Sequence, residues 1–139
     1  MTTAREIMTP DPVLIRSSDT VLDAAKRMAA LGVGSLPICG EDNRLKGVIT
    51  DRDVVVKVIA AHKDPRAVHV GELPQGEVIT IGAGDSAEQI LATMSRHQVR
   101  RLPVMDGDEV VGIVAVADVA RALSDPPVGA LVEALSIDR

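Results

Sequence analysis

The segment Gly47-Val-Ile-Thr50-Asp51-Arg52-Asp53 sets a hydroxyl and a carboxylate three positions apart, where an apolar run gives way to a helix-compatible one. Backbone N–H groups left free at such a junction attract an anion, and a hydroxyl one position before the helix adds a donor to a phosphate. A carboxylate three residues later can accept both vicinal hydroxyls of a ribose through charge-assisted hydrogen bonds. Phosphate at Thr50 and ribose at Asp53 together describe a seat for a nucleotide. The same pair also reads as a capping box that needs no ligand, and the residue types alone leave both readings open.

The other chemically capable side chains point to less. His62, His69 and His97 do not fall at the tight spacing of a metal-ligand pair, and no cysteine cluster supports them, so no metal is expected. They read as surface or linker histidines, His97 differing only in lying beside Arg100-Arg101. Asp51 and Asp53 have no nucleophile or base organised around them, which argues against catalysis. Cys39, the only cysteine, lies in Leu36-Pro-Ile-Cys39 and reads as a small buried hydrophobe. Arg52 reads as a solvated side chain or a partner of Asp51.

Charge and composition exclude whole classes of partner. Fifteen Lys and Arg against 20 Asp and Glu leave a net charge of −5, with no basic field for a nucleic-acid polymer or an anionic bilayer. There is no Phe, Tyr or Trp, so a bound base must lie between aliphatic side chains. The apolar runs, such as Val110 to Ala117, are interrupted long before the roughly 20 residues of a membrane span. Residues Met1 to Met8 show no positive patch followed by an apolar core, which predicts a cytoplasmic protein.

The elements that must position Thr50 and Asp53 occur twice. Met28 and Met94, Val33 and Val99, Leu36 and Leu102, and Pro37 and Pro103 are each 66 positions apart; Gly47 and Gly112, and Asp53 and Asp118, are 65 apart. Half of such a chain is small for an independent core, so the copies are expected to pack together about a pseudo-two-fold axis. Each copy reads strand, helix, strand, strand, helix. Val13 to Ile15 and Val78 to Ile81 are the first strands, followed by helices capped at Asp19 and Asp85, the second through a box over Asp85-Ser-Ala-Glu88. The first helix carries Val21, Ala25, Met28 and Leu31 at helical spacing and stops at Gly32. Strands Val33 to Ile38 and Leu45 to Thr50, and Val99 to Met105 and Val110 to Ala115, precede second helices over Asp51 to Ala61 and Val116 to Leu123. The repeats are residues 1–61 and 70–125, joined by 62–69 and followed by a helix in 126–139 that carries Val128, Leu131, Val132 and Leu135.

Val33-Gly-Ser-Leu-Pro37 with Gly47-Val-Ile-Thr50-Asp-Arg-Asp53, and Val99-Arg-Arg-Leu-Pro103 with Gly112-Ile-Val-Ala-Val-Ala-Asp118, resemble a pair of CBS domains, the Bateman module, over nearly the whole chain. The resemblance implies an α/β (α+β) fold and a regulatory module, not an enzyme. Such a module senses an adenine nucleotide of the AMP, ADP or ATP kind, or S-adenosylmethionine, and often dimerises into a disc. The family's ribose carboxylates fall on Asp53 and Asp118 and its phosphate-side hydroxyl on Thr50, whereas Ala115 replaces the second hydroxyl. The two sites are therefore expected to be unequal. Arg100 and, more strongly, Arg101 stand where the family sends basic side chains to phosphates; Gly34 and Ser35 are their counterparts, and Val33 with Gly34 completes the expected binding set. A homodimer is expected through the second helices, with Val54, Val55, Val58, Ile59 and Val119 to Leu123 as contacts, signalling to a protein partner the sequence does not identify. The alternative is a scaffold or stress-associated interaction protein that keeps the fold and binds no nucleotide.

Overall fold

Two short parallel strand pairs, each bridged by an amphipathic helix, organise the two halves of the chain. The computed structural model describes residues 1–74 and 76–123, so the expected helix with Val128, Leu131, Val132 and Leu135 lies outside the described residues. In chain order the elements are α1 (Ala4–Ile7), β1 (Thr9–Pro10), β2 (Ile15–Arg16), α2 (Val21–Leu31), β3 (Ser35–Cys39), β4 (Leu45–Thr50) and α3 (Asp51–Asp53). A π-helix (Val54–Ile59) and a 3-10 turn (Val70–Glu72) lead to β5 (Ile81–Gly82), α4 (Ala87–His97), β6 (Arg101–Asp106), β7 (Glu109–Ala115) and α5 (Val116–Ala122). Mixed helix and strand, with the strand-helix-strand-strand-helix order repeated, is the expected fold class. No helix among the described residues is long and apolar enough to cross a membrane.

Residues Val13–Val78 form one unit around a three-stranded sheet ordered β2-β3-β4. β2 runs parallel to β3, with Ile15 beside Ile38, and β3 runs antiparallel to β4, with Ser35 beside Thr50. Val21, Ala24 and Met28 of α2 pack on Ile15, Leu36, Ile38 and Ile49 to make the core. Val21 and Met28 face inward as expected, while Ala24 takes the place of Ala25 and Leu31 faces solvent. Cys39 is buried and free, as a packing residue should be.

Met1–Pro12 and the described residues from Ile79 to Leu123 form the other unit, around a sheet ordered β1-β7-β6-β5. Ile81 lies beside Val104 in the parallel pair, 66 positions on from Ile15 and Ile38, so the register repeats with the sequence. Both hairpins also shift register at matching places, between Ile38 and Cys39 and between Val104 and Met105. Ile90, Leu91 and Met94 of α4 cover Leu102, Val104 and Val114. Gln98 ends α4 in the left-handed region at φ 54°, where Gly32 ends α2 at φ 67°.

The opening segment of each repeat packs in the unit built by the other repeat. Ala4 N–H donates to the Asp85 carbonyl at 2.8 Å and Arg5 N–H to that of Ala83 at 3.0 Å. In the other unit Val70 N–H donates to Asp19 at 2.8 Å and Gly71 N–H to Ser17 at 2.9 Å, the same contacts 66 positions along. Ala4 and Val70 are both fully buried.

Helices α2 and α4 start one residue later than expected, whereas α3 and α5 start at Asp51 and Val116 as expected. Thr20 and Ser86 are the N-caps, and each forms a reciprocal box with Asp23 or Gln89, so the box over Asp85 to Glu88 does not form. The Thr20 backbone N–H, and then its hydroxyl, hold the Asp23 carboxyl below its ordinary pKa. Asp19 and Asp85 instead close the preceding turns, accepting Arg16 N–H at 2.9 Å and Gly82 N–H at 2.8 Å. Cap and turn closure both call for short polar side chains, so adjacent candidates are not separated by residue type alone.

The expected helix from Asp51 to Ala61 is α-helical for its first three residues only. Ala60 N–H then reaches the Val55 carbonyl at 2.8 Å and Lys63 N–H that of Val58 at 2.9 Å, five residues back. Val54, Val55, Val56, Val58 and Ile59 are all β-branched and crowd the spacing of an α-helix, which a wider turn relieves. Val58 is fully buried while Val55, Val56 and Ile59 face solvent, and Val119 of α5 is also fully buried. Val58 and Val119 are therefore core residues and not part of a surface that could meet a partner.

Candidate functional site

Thr50 ends β4 in an extended conformation, φ −114° and ψ 162°, and the chain turns there into α3. The turn is pinned by Asp51 N–H, which donates to the Gly34 carbonyl at 2.9 Å. Gly34 thus acts through its backbone, and Val33 packs half-buried against the core. The Thr50 hydroxyl accepts Asp53 N–H at 3.0 Å, and Asp53 Oδ2 accepts Thr50 N–H at 2.9 Å. The capping box is therefore complete, and it holds the Asp53 carboxylate at the mouth of the strand-helix junction. Asp53 Oδ1 faces Lys57 Nζ at 3.2 Å.

The second unit repeats this backbone with different chemistry. Ala115 has φ −112° and ψ 161°, and Val116 N–H donates to the Arg100 carbonyl at 3.0 Å, as Asp51 does to Gly34. Asp118 Oδ2 still accepts Ala115 N–H at 2.8 Å, but Ala115 offers no oxygen in return. Half the box survives, and it is the half that orients the carboxylate. Asp118 Oδ1 pairs with Arg121 at 2.5 Å. Across the β6–β7 ladder Arg101 lies beside Ala115, just as Ser35 lies beside Thr50 in the other unit. The ladder pair at one junction thus consists of two hydroxyl residues, and the pair at the other of Ala115 and an exposed arginine.

Val33, Gly34, Thr50 and Asp53 therefore gather in one unit, and Arg100, Arg101 and Asp118 in the other. Sequence reasoning missed Lys57 and Arg121. The signal was present, since a base three or four residues after an acid on a helix faces it. Among the described residues no three His, Cys, Asp or Glu side chains group as metal ligands.

The missing cap at Ala115 carries a direct prediction. Ala115→Thr restores an acceptor for Asp118 N–H and should stabilise the protein by about 1 kcal/mol. Thermal unfolding should show this as a rise in Tm of roughly 2–5 °C; no rise would mean that water already serves that N–H.

The CBS domain family matches residues 4–60 and 70–125. The chain belongs to the CBS-domain family. Hypoxic response protein 1 of Mycobacterium tuberculosis is 42% identical over 135 residues, covering 97% of this chain and 94% of that protein. The crystal structure of Hypoxic Response Protein I with two coordinated zinc ions superposes with a TM-score of 0.81 at 44% identity, over 88% of this chain and 100% of that one. The match to that mycobacterial protein thus runs through both CBS repeats. The crystal structure of CBSX2 in complex with AMP has a TM-score of 0.75 at 25% identity, covering 88% of this chain and 96% of the other.

Proposed function

We propose that this CBS pair is a regulatory module that binds an adenine nucleotide, with the ribose on Asp53 and the phosphate on the Thr50 side. The observation that carries this reading is the fixed carboxylate of Asp53. One of its oxygens takes the Thr50 N–H, and each oxygen of a carboxylate accepts more than one hydrogen bond, so a vicinal diol can still be received. The same box needs no ligand to be satisfied, which is what a scaffold protein would retain; the AMP held by the related CBSX2 favours the binding role. Asp118 is held in the same way and serves a second, weaker site, where Arg101 and Arg100 would face phosphate in place of the lost hydroxyl. Zinc is bound by the mycobacterial relative; among the described residues here no three His, Cys, Asp or Glu side chains group together, and no metal is assigned. Titration of the purified protein with AMP by calorimetry tests the reading: saturable heat near one equivalent per chain supports it, and no heat with AMP, ADP or ATP leaves the scaffold alternative.

We also infer a homodimer built on the exposed apolar face of the π-helix. Val55, Val56 and Ile59 are 59%, 49% and 54% exposed within one short stretch, an arrangement a symmetric partner can cover. Light scattering at micromolar concentration should give twice the 14.6 kDa chain mass, and Val55→Glu with Ile59→Glu should give the single-chain mass. A monomeric unmodified protein would refute the dimer. Such a dimer would present ligand state to a protein partner, and membership of a stress response is a property to be tested through that partner.

A further inference from the structure

One side chain ties the Asp53 carboxylate to a distant stretch of backbone. Lys57 Nζ lies 2.9 Å from the Pro74 carbonyl oxygen and 3.2 Å from Asp53 Oδ1. The contact to Pro74 is the firmer, since the distance to Asp53 exceeds that of a close charge-assisted hydrogen bond. Pro74 closes the opening segment of the second repeat, in which Val70, Gly71 and Leu73 donate to Asp19, Ser17 and Val70 at 2.8, 2.9 and 3.2 Å. The other oxygen of Asp53 already takes Thr50 N–H. A ribose diol that spans both carboxylate oxygens therefore meets Lys57 at Oδ1.

We propose that Lys57 is a positioning residue that reports ribose binding at Asp53 to the Val70–Pro74 segment. This rests on the assignment of Asp53 to ribose. Oδ1 can accept a second hydrogen bond, but the incoming hydroxyl shares it with Nζ and weakens the longer of the two Lys57 contacts, leaving the ammonium, on a side chain 37% exposed, held chiefly by the Pro74 carbonyl. An exposed lysine tethered at one end gives up that contact to water readily, because holding its long side chain costs rotamer entropy. The segment loosens as the ligand binds, and by reciprocity a tighter Lys57 bridge weakens the ligand. In the second unit the corresponding base, Arg121, is 71% exposed and pairs with Asp118 one helical turn before it.

Hydrogen exchange read by mass spectrometry tests this with AMP and with 2′,3′-dideoxy-AMP, which lacks the diol. In the unmodified protein AMP should raise exchange in peptides covering Val70 to Pro74 by about threefold or more, and the dideoxy analogue at saturation should not. Lys57→Met keeps the apolar stem, should exchange at the raised rate with or without AMP, and should bind AMP at least as tightly by calorimetry. Circular dichroism confirms that the variant is folded. A response to AMP in Lys57→Met equal to that of the unmodified protein, or weaker AMP binding by the folded variant, overturns the proposal while leaving the nucleotide site standing. Failure of AMP to bind either protein refutes the site itself, and the role of Lys57 falls with it.

Discussion

Asp53→Ala is expected to weaken AMP binding by roughly 10- to 100-fold, because hydrogen bonds to a charged group contribute about 1.5 to 3 kcal/mol and each 1.4 kcal/mol is about tenfold in affinity. The carboxylate is the group that would hold the ribose, and no neighbouring acid can replace it: Asp51 is exposed and accepts Arg52 N–H at 2.9 Å instead. Asp118→Ala should cost much less, because its junction has lost the hydroxyl at Ala115. Asp53 also accepts Thr50 N–H, so its removal should lower stability by about 0.5 to 2 kcal/mol through the lost cap. The binding loss therefore counts only below the melting transition of the variant. Calorimetry is the suitable measurement, since the chain has neither Trp nor Tyr for intrinsic fluorescence. Equal losses from the two substitutions, or two equivalent sites per chain, would show that the hydroxyl at position 50 does not set the asymmetry.

What could be read from the sequence was local or periodic. Thr50 and Asp53 are three residues apart, so their mutual geometry follows from a strand ending and a helix starting, whatever packs around them. The offset of 66 positions likewise anticipated the register of both sheets, since Ile15 beside Ile38 is answered by Ile81 beside Val104. What escaped depends on contacts between segments far apart in the chain. The Lys57 bridge to Pro74 spans 17 residues and requires knowing which way the connecting segment runs. The burial of Val58 depends on π winding, which five β-branched residues allow but do not announce. The packing of Met1–Pro12 with the residues after Ile79 is the extreme case. Nothing in the types of Ala4, Met8 or Thr9 names their partners, and the fixed spacing of a repeat says which residues correspond without saying which repeat each one joins.

That long-range packing explains a residue the repeat marks but does not account for. Gly112 corresponds to Gly47 and lies in the middle of β7, a position where glycine costs a strand stability. The cause is the opening segment of the chain laid against it. β1 pairs antiparallel with β7, Thr9 beside Ile113 and Pro10 beside Gly112. A Cβ at position 112 would lie 2.8 Å from the Thr9 carbonyl oxygen and would also run into the Met8 side chain. Met8 is flexible and can turn away, but the Thr9 carbonyl is backbone and moves only if the β1–β7 pairing gives. Gly112→Ala should therefore destabilise the protein by about 1–3 kcal/mol, lowering Tm by roughly 3–12 °C. Met8→Ala separates the two causes. If the methionine alone were in the way, Gly112→Ala would cost nothing further in a Met8→Ala background; the carbonyl contact predicts that most of the loss persists there. The same substitution should raise hydrogen exchange at Ala4 and Arg5, whose N–H groups are held by Asp85 and Ala83, because the first twelve residues are anchored as one piece. An unchanged Tm for Gly112→Ala would mean that the opening segment yields without cost, and that the glycine at this place in the repeat answers to something other than the chain lying across it.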